Sequence, residues 1–239
     1  MSFSYSGNVY FHIMILIVDY GMGNLHSVKR KLDKLYIPCM ISSDPKDLEK
    51  ADKIILPGVG HFGKAMENIQ KMGWLEPLNK AVLVDKKPVL GICLGMQLMT
   101  KGSEEGSEKG NENREPGTES DSDRGTLING LGWFDCTTER LPITDTLRYK
   151  IPHTGWNTIE YDDPDPILKD VPSGSEVYFV HGFGVLTAPK DEVLTRTHYE
   201  SPFVSALRKG NILGMQFHPE KSHETGMQLL KNFVSGNND

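Results

Sequence analysis

The chain has 239 residues with 26 basic and 32 acidic side chains, a net charge of −6 that argues against a nucleic-acid partner. Its length is typical of one large α/β domain, and it has no stretch of about 18 apolar residues that would predict a membrane-spanning helix. Its cysteines, Cys39, Cys93 and Cys136, are too few and odd in number for a disulfide framework. We therefore expect a cytoplasmic protein that binds neither nucleic acid nor membrane.

The first segment, residues 1–13, has neither the basic start nor the apolar core of a signal peptide. A second methionine, Met14, directly precedes an apolar run, so the segment is either an extension or the product of an upstream start codon. We interpret residues 1–13 as an N-terminal extension of unknown role and residues 14–236 as a single domain.

Strands and helices alternate along the first part of this domain. Residues 13–18 form an unbroken apolar run, which is typical of a strand buried on both faces of a parallel sheet. The next segment places apolar side chains on one helical face: Leu25, Val28, Leu32 and Leu35. A strand, a short helix and another strand are predicted at residues 38–42, 45–50 and 53–56. This alternation predicts an α/β fold with a doubly wound sheet.

A glycine-rich segment, P-G-V-G-H-F-G at residues 57–63, contains the spacing G-x-G-x-x-G. A dinucleotide fingerprint belongs in the first strand-to-helix turn, with an acidic residue about 20 positions further on. Here the motif lies in the third unit, and Asp85 falls in a lysine-rich loop. Two interpretations remain: a nucleotide site, or a loop whose N–H groups form one side of an anion site.

The motif with the clearest chemistry is P-V-L-G-I-C-L-G-M-Q-L-M at residues 88–99. An apolar strand, a cysteine flanked by glycines two residues to either side, and a helix-compatible segment have the spacing of a nucleophile elbow. The glycines allow neighbouring backbone to pack closely, and the helix N-terminus favours thiolate over thiol. Cys93 is therefore a candidate nucleophile, the alternative being a buried structural thiol.

The composition changes sharply at residues 101–125, which contain no aliphatic or aromatic side chain and have eight acidic residues against four basic ones. Such a segment cannot bury enough apolar surface to offset its ordering entropy. We expect a mobile acidic insert, the alternative being a lid or a partner-docking segment.

The second half of the domain is richer in β-structure. Strands are predicted at residues 133–138, 157–161, 176–180, 193–197, 203–207 and 212–217, and a final helix at residues 224–233. A nucleophile needs a base and the base an orienting group, and both are available directly after the last strand in His218-Pro219-Glu220. In an extended chain, side chains two residues apart point the same way, so Glu220 is expected beside the His218 imidazole. The alternative is a surface turn without function.

With these motifs the chain resembles the class I (triad) glutamine amidotransferases, and within them the glutaminase subunits of imidazole glycerol phosphate synthase. The resemblance extends over nearly everything from Met14 to Phe233 except the acidic insert. It rests on the motifs D-Y-G-M-G-N-L at 19–25, P-G-V-G-H-F-G at 57–63, L-G-I-C-L-G-M-Q-L at 90–98, P-H-T-G-W-N at 152–157, Y-F-V-H at 178–181 and G-M-Q-F-H-P-E-K-S at 214–222.

The resemblance implies a flavodoxin-like sheet and the hydrolysis of L-glutamine to glutamate, with the ammonia passed to a (β/α)8-barrel cyclase or synthase subunit in a heterodimer. It implies Cys93 as nucleophile, His218 for proton transfer and Glu220 to hold the imidazole. The oxyanion is expected to meet the N–H of Leu94 and that of Val59 or Gly60. Glutamine-pocket residues are implied at Gln97, Glu105, Tyr178 and His181. Residues of the synthase interface are implied at Asn24, Trp156, Asn157 and Lys221. No cofactor and no metal are expected.

The sequence departs from this family where Gly182-Phe183 follow His181, because Ser or Thr and then Tyr are usual there. Phe183 cannot donate a hydroxyl hydrogen bond, and the acidic insert is a second departure. Two alternatives therefore stay open beside the histidine-pathway glutaminase. One is a paralogue that supplies ammonia for amidino groups on surface polysaccharide sugars, and the other is a non-catalytic scaffolding subunit.

Overall fold

The computed structural model describes residues 13–106 and 127–236. Almost all of the predicted N-terminal extension and most of the acidic insert lie outside these ranges. The described strands are β1 (Ile15–Val18), β2 (Cys39–Ser42), β3 (Lys53–Gly58), β4 (Val89–Cys93), β5 (Gly102–Ser103), β6 (Ile128–Asn129), β7 (Glu139–Arg140), β8 (His153–Ile159), β9 (Ser175–His181), β10 (Phe183–Gly184), β11 (Val193–Tyr199), β12 (Ser201–Lys209) and β13 (Ile212–Met215).

The central feature is a seven-stranded sheet in the order β11-β12-β13-β4-β3-β1-β2. Strands β13, β4, β3, β1 and β2 run parallel, whereas β11, β12 and β13 pair antiparallel at the other side. The carboxyl ends of β1, β3, β4 and β13 therefore meet at one edge, which is where ligands bind in open α/β sheets.

Helices cover both faces of this sheet, as the doubly wound prediction requires. The α-helices are α1 (Leu25–Lys34), α2 (Phe62–Lys71), α3 (Leu75–Asn79), α4 (Leu94–Leu98) and α5 (His223–Ser235). Short 3-10 helices lie at Pro45–Lys50, Pro166–Leu168 and Pro219–Lys221, and a π-helix lies at Lys80–Val84.

Alternate residues of the buried strands supply the two halves of the core. In β1, Leu16 and Val18 pack on the face covered by α2 and α3, while Ile15 and Ile17 pack on the face covered by α1 and α5. Both faces are apolar because the strand is buried on both sides, which is why its sequence is a continuous apolar run.

The prediction of a strand at residues 133–138 is wrong for most of this range, since among the described residues of the range only Thr138 forms a bridge, to Ser103 in β5. The N–H groups of Leu131, Trp133 and Phe134 donate instead to carbonyls at the end of α4 and just after it, at 2.7–2.9 Å. The first residues of the segment are apolar because they cover the core, with Phe134 fully buried, and their N–H groups satisfy the last carbonyls of a helix rather than those of a neighbouring strand.

The predicted strand at residues 157–161 is also displaced, because β8 begins four residues earlier, at His153. It pairs antiparallel with β9 over its whole length, from His153 opposite His181 to Ile159 opposite Ser175. None of the helices in the described ranges is long and apolar enough to cross a membrane.

Candidate active site

Cys93 is the last residue of β4 and directly precedes α4, at the sheet edge where the parallel strands end. Its backbone has φ 54° and ψ −111°, a conformation that side chains other than glycine rarely adopt. Strain of this kind persists only where the surrounding structure enforces it, and it concentrates at functional sites. The position therefore has the geometry of a nucleophile elbow rather than of an ordinary buried thiol.

The glycines on either side of Cys93 are required by close packing. A Cβ atom at Gly95 would overlap the carbonyl oxygen of Leu56 in β3. A Cβ atom at Gly91 would lie 2.8 Å from the Gly95 carbonyl and 2.7 Å from the Met99 methyl group. The turn from β4 into α4 is thus held against the neighbouring strand by backbone contact, as the spacing predicts.

His218 and Glu220 reach the same edge from β13, which is the parallel neighbour of β4. The Nδ1 atom of His218 lies 2.7 Å from Oε1 of Glu220, and the two residues are only 1% and 5% exposed. Glu220 lies beside the imidazole as expected, but not through an extended chain, because Pro219 begins a 3-10 turn after His218. The backbone at this position is also held, because the main-chain N–H of His218 donates to the Tyr178 carbonyl at 2.9 Å.

The electrostatics of this pair favour a protonated imidazole. Burial by itself lowers the pKa of His218, but the Cys93 sulfur and the Glu220 carboxylate outweigh it and raise the pKa to about 9. Nε2 of His218 has no hydrogen-bond partner among the described residues. With Nδ1 directed at Glu220, Nε2 is the ring atom available for proton exchange.

The glycine-rich loop lies beside Cys93 because Gly58, at the end of β3, is paired in register with Cys93 at the end of β4. Val59 is 39% exposed, and Gly60 has φ +107°, a left-handed conformation suited to glycine. Leu94 is the first residue of α4. The three residues proposed for an oxyanion hole are therefore near the elbow in the fold, on two adjacent chain segments.

Gln97 is buried one turn of helix after Cys93, and its amide group is engaged within the protein. Its Nε2 donates to the Phe183 carbonyl at 2.8 Å and to Oε1 of Gln216 at 3.1 Å. Phe183, where the sequence departs from the family that it resembles, thus contributes a backbone carbonyl that would be available with any side chain. In turn, Nε2 of Gln216 donates to the Cys93 sulfur at 3.7 Å.

His181 also bonds to the Phe183 carbonyl, through Nδ1 at 2.9 Å. Because a carbonyl only accepts, Nδ1 carries the proton and Nε2 accepts from Nδ1 of His153 at 3.2 Å. Burial lowers the pKa of His181 to about 3 and that of His153 to about 4, so both rings are neutral near pH 7. Asn157 continues this chain, since its Nδ2 lies 3.4 Å from Nε2 of His153 and donates to the His198 carbonyl at 3.0 Å.

Glu105 lies at the beginning of α2, where its Oε2 accepts from the Phe62 N–H at 2.8 Å. Burial raises the pKa of this carboxyl, an effect that the Phe62 N–H and His61 partly oppose. The carboxylate therefore caps α2. The next residue, Gly106, packs against the glycine-rich loop, since a Cβ atom there would overlap the His61 ring.

Of the remaining predicted residues, Tyr178, Trp156 and Lys221 lie together, and Asn24 caps a helix. Tyr178 packs its ring against Trp156, with centroids 5.8 Å apart, and lies 5.6 Å from Nζ of Lys221. Its side chain therefore joins the residues predicted for the interface rather than Gln97. Trp156 is 43% exposed and stacks on His223, with ring centroids 4.7 Å apart. Asn24 is exposed and caps α1 by accepting from the Ser27 N–H at 3.3 Å.

Three features of the site were not predicted from the sequence: the Gln216 amide, the Val180 carbonyl at 3.8 Å from the Cys93 sulfur, and the buried hydroxyl of Tyr20, which has no hydrogen-bond partner among the described residues. Gln216 precedes His218 by two residues, so period-two spacing could have placed both on one side of the chain. The other two carry no signal in the sequence. Within the ranges 13–106 and 127–236, no group of three His, Cys, Asp or Glu residues is arranged to hold a metal ion.

Comparison with known proteins identifies the family of the chain. The family model for glutamine amidotransferase class-I matches residues 16–236. The chain is 41% identical over 221 residues to imidazole glycerol phosphate synthase subunit HisH 2 of Methanococcus maripaludis, covering 92% of this chain and 98% of that protein. It is 42% identical over 222 residues to subunit HisH 1 of Campylobacter jejuni, covering 92% and 99%.

Solved structures give the same fold at low sequence identity. PurLQS from Thermotoga maritima matches with a TM-score of 0.65 at 15% identity, covering 93% of this chain and 97% of that one. A glutamine amidotransferase from the same organism matches with a TM-score of 0.59 at 15% identity, covering 94% and 99%. At this level of identity the likeness concerns the fold alone.

Proposed function

Because the chain belongs to the class-I glutamine amidotransferase family, we propose that it hydrolyses the side-chain amide of L-glutamine through Cys93, His218 and Glu220. The observation that carries this proposal is the strained cysteine at a sheet edge beside a buried His–Glu pair. Such a sulfur is positioned to attack a bound amide, while the pair supplies a proton donor in a fixed orientation.

In the first step the Cys93 thiolate attacks the amide carbon of glutamine, and negative charge develops on the amide oxygen. The Leu94 N–H and an N–H from Val59 or Gly60 stabilise this oxyanion. Nε2 of the His218 imidazolium then gives its proton to the leaving nitrogen. Ammonia departs and a γ-glutamyl thioester remains on Cys93.

In the second step water replaces ammonia. The neutral His218 takes a proton from this water through Nε2, and the hydroxide adds to the thioester carbon. The carbon–sulfur bond breaks, glutamate leaves, and the Cys93 thiolate is restored beside the imidazolium. Throughout, Glu220 holds Nδ1 and stabilises the charged ring, so the same nitrogen donates and accepts in turn. Gln97, Glu105 and His181 are the candidates for glutamine contacts, whereas the Tyr178 ring packs against Trp156 instead.

We further propose that the ammonia is consumed by a separate synthase subunit of the (β/α)8-barrel type, the cyclase of histidine biosynthesis. The support is the name of the relatives at 41% and 42% identity, which are subunits of imidazole glycerol phosphate synthase. The proposed docking face carries Asn24, Trp156, Asn157 and Lys221. Exposure favours Trp156 as its centre, because a large ring that is 43% exposed buries much apolar area on docking.

The test of the reaction is glutamate release from glutamine by the purified protein, with and without a cyclase subunit and its substrate. We expect release that depends on Cys93 and falls by about four orders of magnitude or more in Cys93→Ala, the usual loss for a nucleophile. Full activity of Cys93→Ala would contradict the mechanism. Cys136→Ala is the matched control, since it removes another buried thiol away from His218.

The test of the docking face compares Trp156→Ala with Tyr36→Ala. Tyr36 is 92% exposed and precedes β2, at the sheet edge opposite Cys93. We expect Trp156→Ala to weaken cyclase binding by tenfold or more, as for a central aromatic anchor of about 2 kcal/mol, and Tyr36→Ala to leave it unchanged. Equal affinities of both variants for the cyclase would contradict a docking face centred on Trp156. Binding only to a synthase that amidates sugars would favour the alternative of a paralogue for polysaccharide sugars.

A further inference from the structure

The Cys93 sulfur has a polar neighbour that the proposed mechanism does not use. Nε2 of Gln216 lies 3.7 Å from this sulfur, and Gln216 is fully buried. Building on the proposed function, we infer that the Gln216 amide stabilises the Cys93 thiolate by hydrogen bonding. We infer also that the Phe183 carbonyl, acting through Gln97, fixes the direction in which this amide points.

The direction follows from a short chain of donors and acceptors. The two ends of an amide group have nearly the same shape, so only their partners decide which end faces the sulfur. The Phe183 carbonyl can only accept, and Gln97 therefore directs its NH₂ group toward it, at 2.8 Å. The same NH₂ group donates to Oε1 of Gln216 at 3.1 Å. The NH₂ group of Gln216 is thereby left facing Cys93.

Because Gln216 is buried, the orientation of its amide affects the stability of the Cys93 thiolate. A fully buried amide is costly unless its polar atoms are bonded, and the side chain of Gln216 bonds to Gln97 and to the Cys93 sulfur. A thiol is a weak acceptor, whereas a thiolate accepts as a charged group. The Gln216 donor therefore stabilises the ionised sulfur more than the neutral one.

Of the ionisable groups around the Cys93 sulfur, only some are charged, so a hydrogen bond from Gln216 can add to the stabilisation of the thiolate. His218 on the β13 side supplies positive charge, and Glu220 lies behind it. Tyr20, at the end of β1, stays neutral because burial and then the Cys93 sulfur raise its pKa. His181, at the end of β9, stays neutral because burial lowers its pKa to about 3. In the described part of the chain, these groups leave His218 as the cation facing the sulfur, and the Gln216 dipole adds to it.

The experiment measures alkylation of Cys93 by iodoacetamide between pH 5 and 10, at peptide level by mass spectrometry and without glutamine. Gln216→Met keeps the length of the side chain and removes the donor. A hydrogen bond to a charged group corresponds to about one pH unit or more, so the midpoint of the profile should move up by that amount. On the acidic side of the midpoint, where the rate follows the thiolate fraction, the alkylation rate at a given pH should fall about tenfold, while the rate at the alkaline plateau is unchanged.

Gln228→Met is the matched control, because Gln228 on α5 also donates one side-chain hydrogen bond, to Asn232, and lies outside the site. The inference is overturned if folded Gln216→Met keeps the midpoint of the wild type, or if the control shifts it equally. A merely structural role would change the plateau rate or the melting temperature and leave the midpoint in place.

A second variant covers the case in which Gln216→Met does not fold. Gln97→Met frees the Gln216 amide to rotate, so a smaller upward shift of the midpoint is expected, and no shift would overturn the inference. The assay needs no turnover, so it separates the two proposals. If Gln216→Met shifts the midpoint of the alkylation profile but the wild type has no glutaminase activity, the proposed function alone is contradicted. If the wild type is active and the midpoint does not shift, this inference alone is contradicted.

Discussion

Replacing Cys93 with glycine should stabilise the protein relative to replacing it with alanine. Cys93 has φ 54° and ψ −111°, and a side chain held in such a conformation costs roughly 1–3 kcal/mol. Alanine keeps the Cβ atom and hence this strain, whereas glycine adopts the conformation freely. Both substitutions remove the thiol, so the comparison isolates the backbone.

The size of the effect follows from two opposing quantities. Glycine relieves the roughly 1–3 kcal/mol of strain, but it loses about 0.5–1 kcal/mol more backbone entropy on folding than alanine. We therefore expect Cys93→Gly to unfold with a free energy roughly 1 kcal/mol higher than that of Cys93→Ala.

The assay is equilibrium unfolding in urea, followed by tryptophan fluorescence and by circular dichroism. The matched pair is Cys39→Ala and Cys39→Gly, because Cys39 begins β2 at an ordinary strand position. There glycine should be less stable than alanine by about 0.5–1 kcal/mol. If glycine is the less stable residue at both positions, Cys93 is not strained and the elbow interpretation loses its physical basis.

Three further predictions concern the same fold. Glu220→Gln should lower the pKa of His218 from about 9, so the alkaline limb of kcat, where the imidazolium is lost, should move to lower pH; an unmoved limb would contradict the role of Glu220. Gly95→Ala should lower the melting temperature through overlap with the β3 backbone, at a cost of about 1–3 kcal/mol or more, and an unchanged melting temperature would refute that contact. His153 and His181 have pKa values lowered to about 4 and 3, so the unfolded chain takes up protons first as pH falls below about 6.5 and stability should decline toward pH 4; urea midpoints that stay level over this range would show that these rings are not buried as neutral species.

The sequence predicted the parallel strands and the elbow because both are encoded over short distances. A strand buried on both faces needs an uninterrupted apolar run, as in β1, and the elbow needs small residues at Gly91 and Gly95. The prediction of a strand at residues 133–138 failed because it too relied on a local apolar pattern. Apolar residues that cover the end of a helix resemble those of a buried strand.

Contacts between distant segments were beyond reach of the sequence. Gln216 and Cys93 are 123 residues apart, and Gln97 and Phe183 are 86 residues apart. No periodicity relates such pairs, because their meeting depends on the order of strands in the sheet. The assignment of the Tyr178 ring to the Trp156 side also required the pairing of β8 with β9.

What the sequence determined by itself is the chemistry available to this protein: a cysteine on an elbow, and a histidine with a carboxylate two residues away. These are local patterns, fixed by steric demands and by residue spacing within a few positions. Tertiary structure decided how the groups are used. Because β13 lies parallel beside β4, His218 and Gln216 reach Cys93 from one side. The hydrogen bonds of Gln216 to Gln97 and of His218 to Glu220 then set which of their nitrogens are left to face the sulfur.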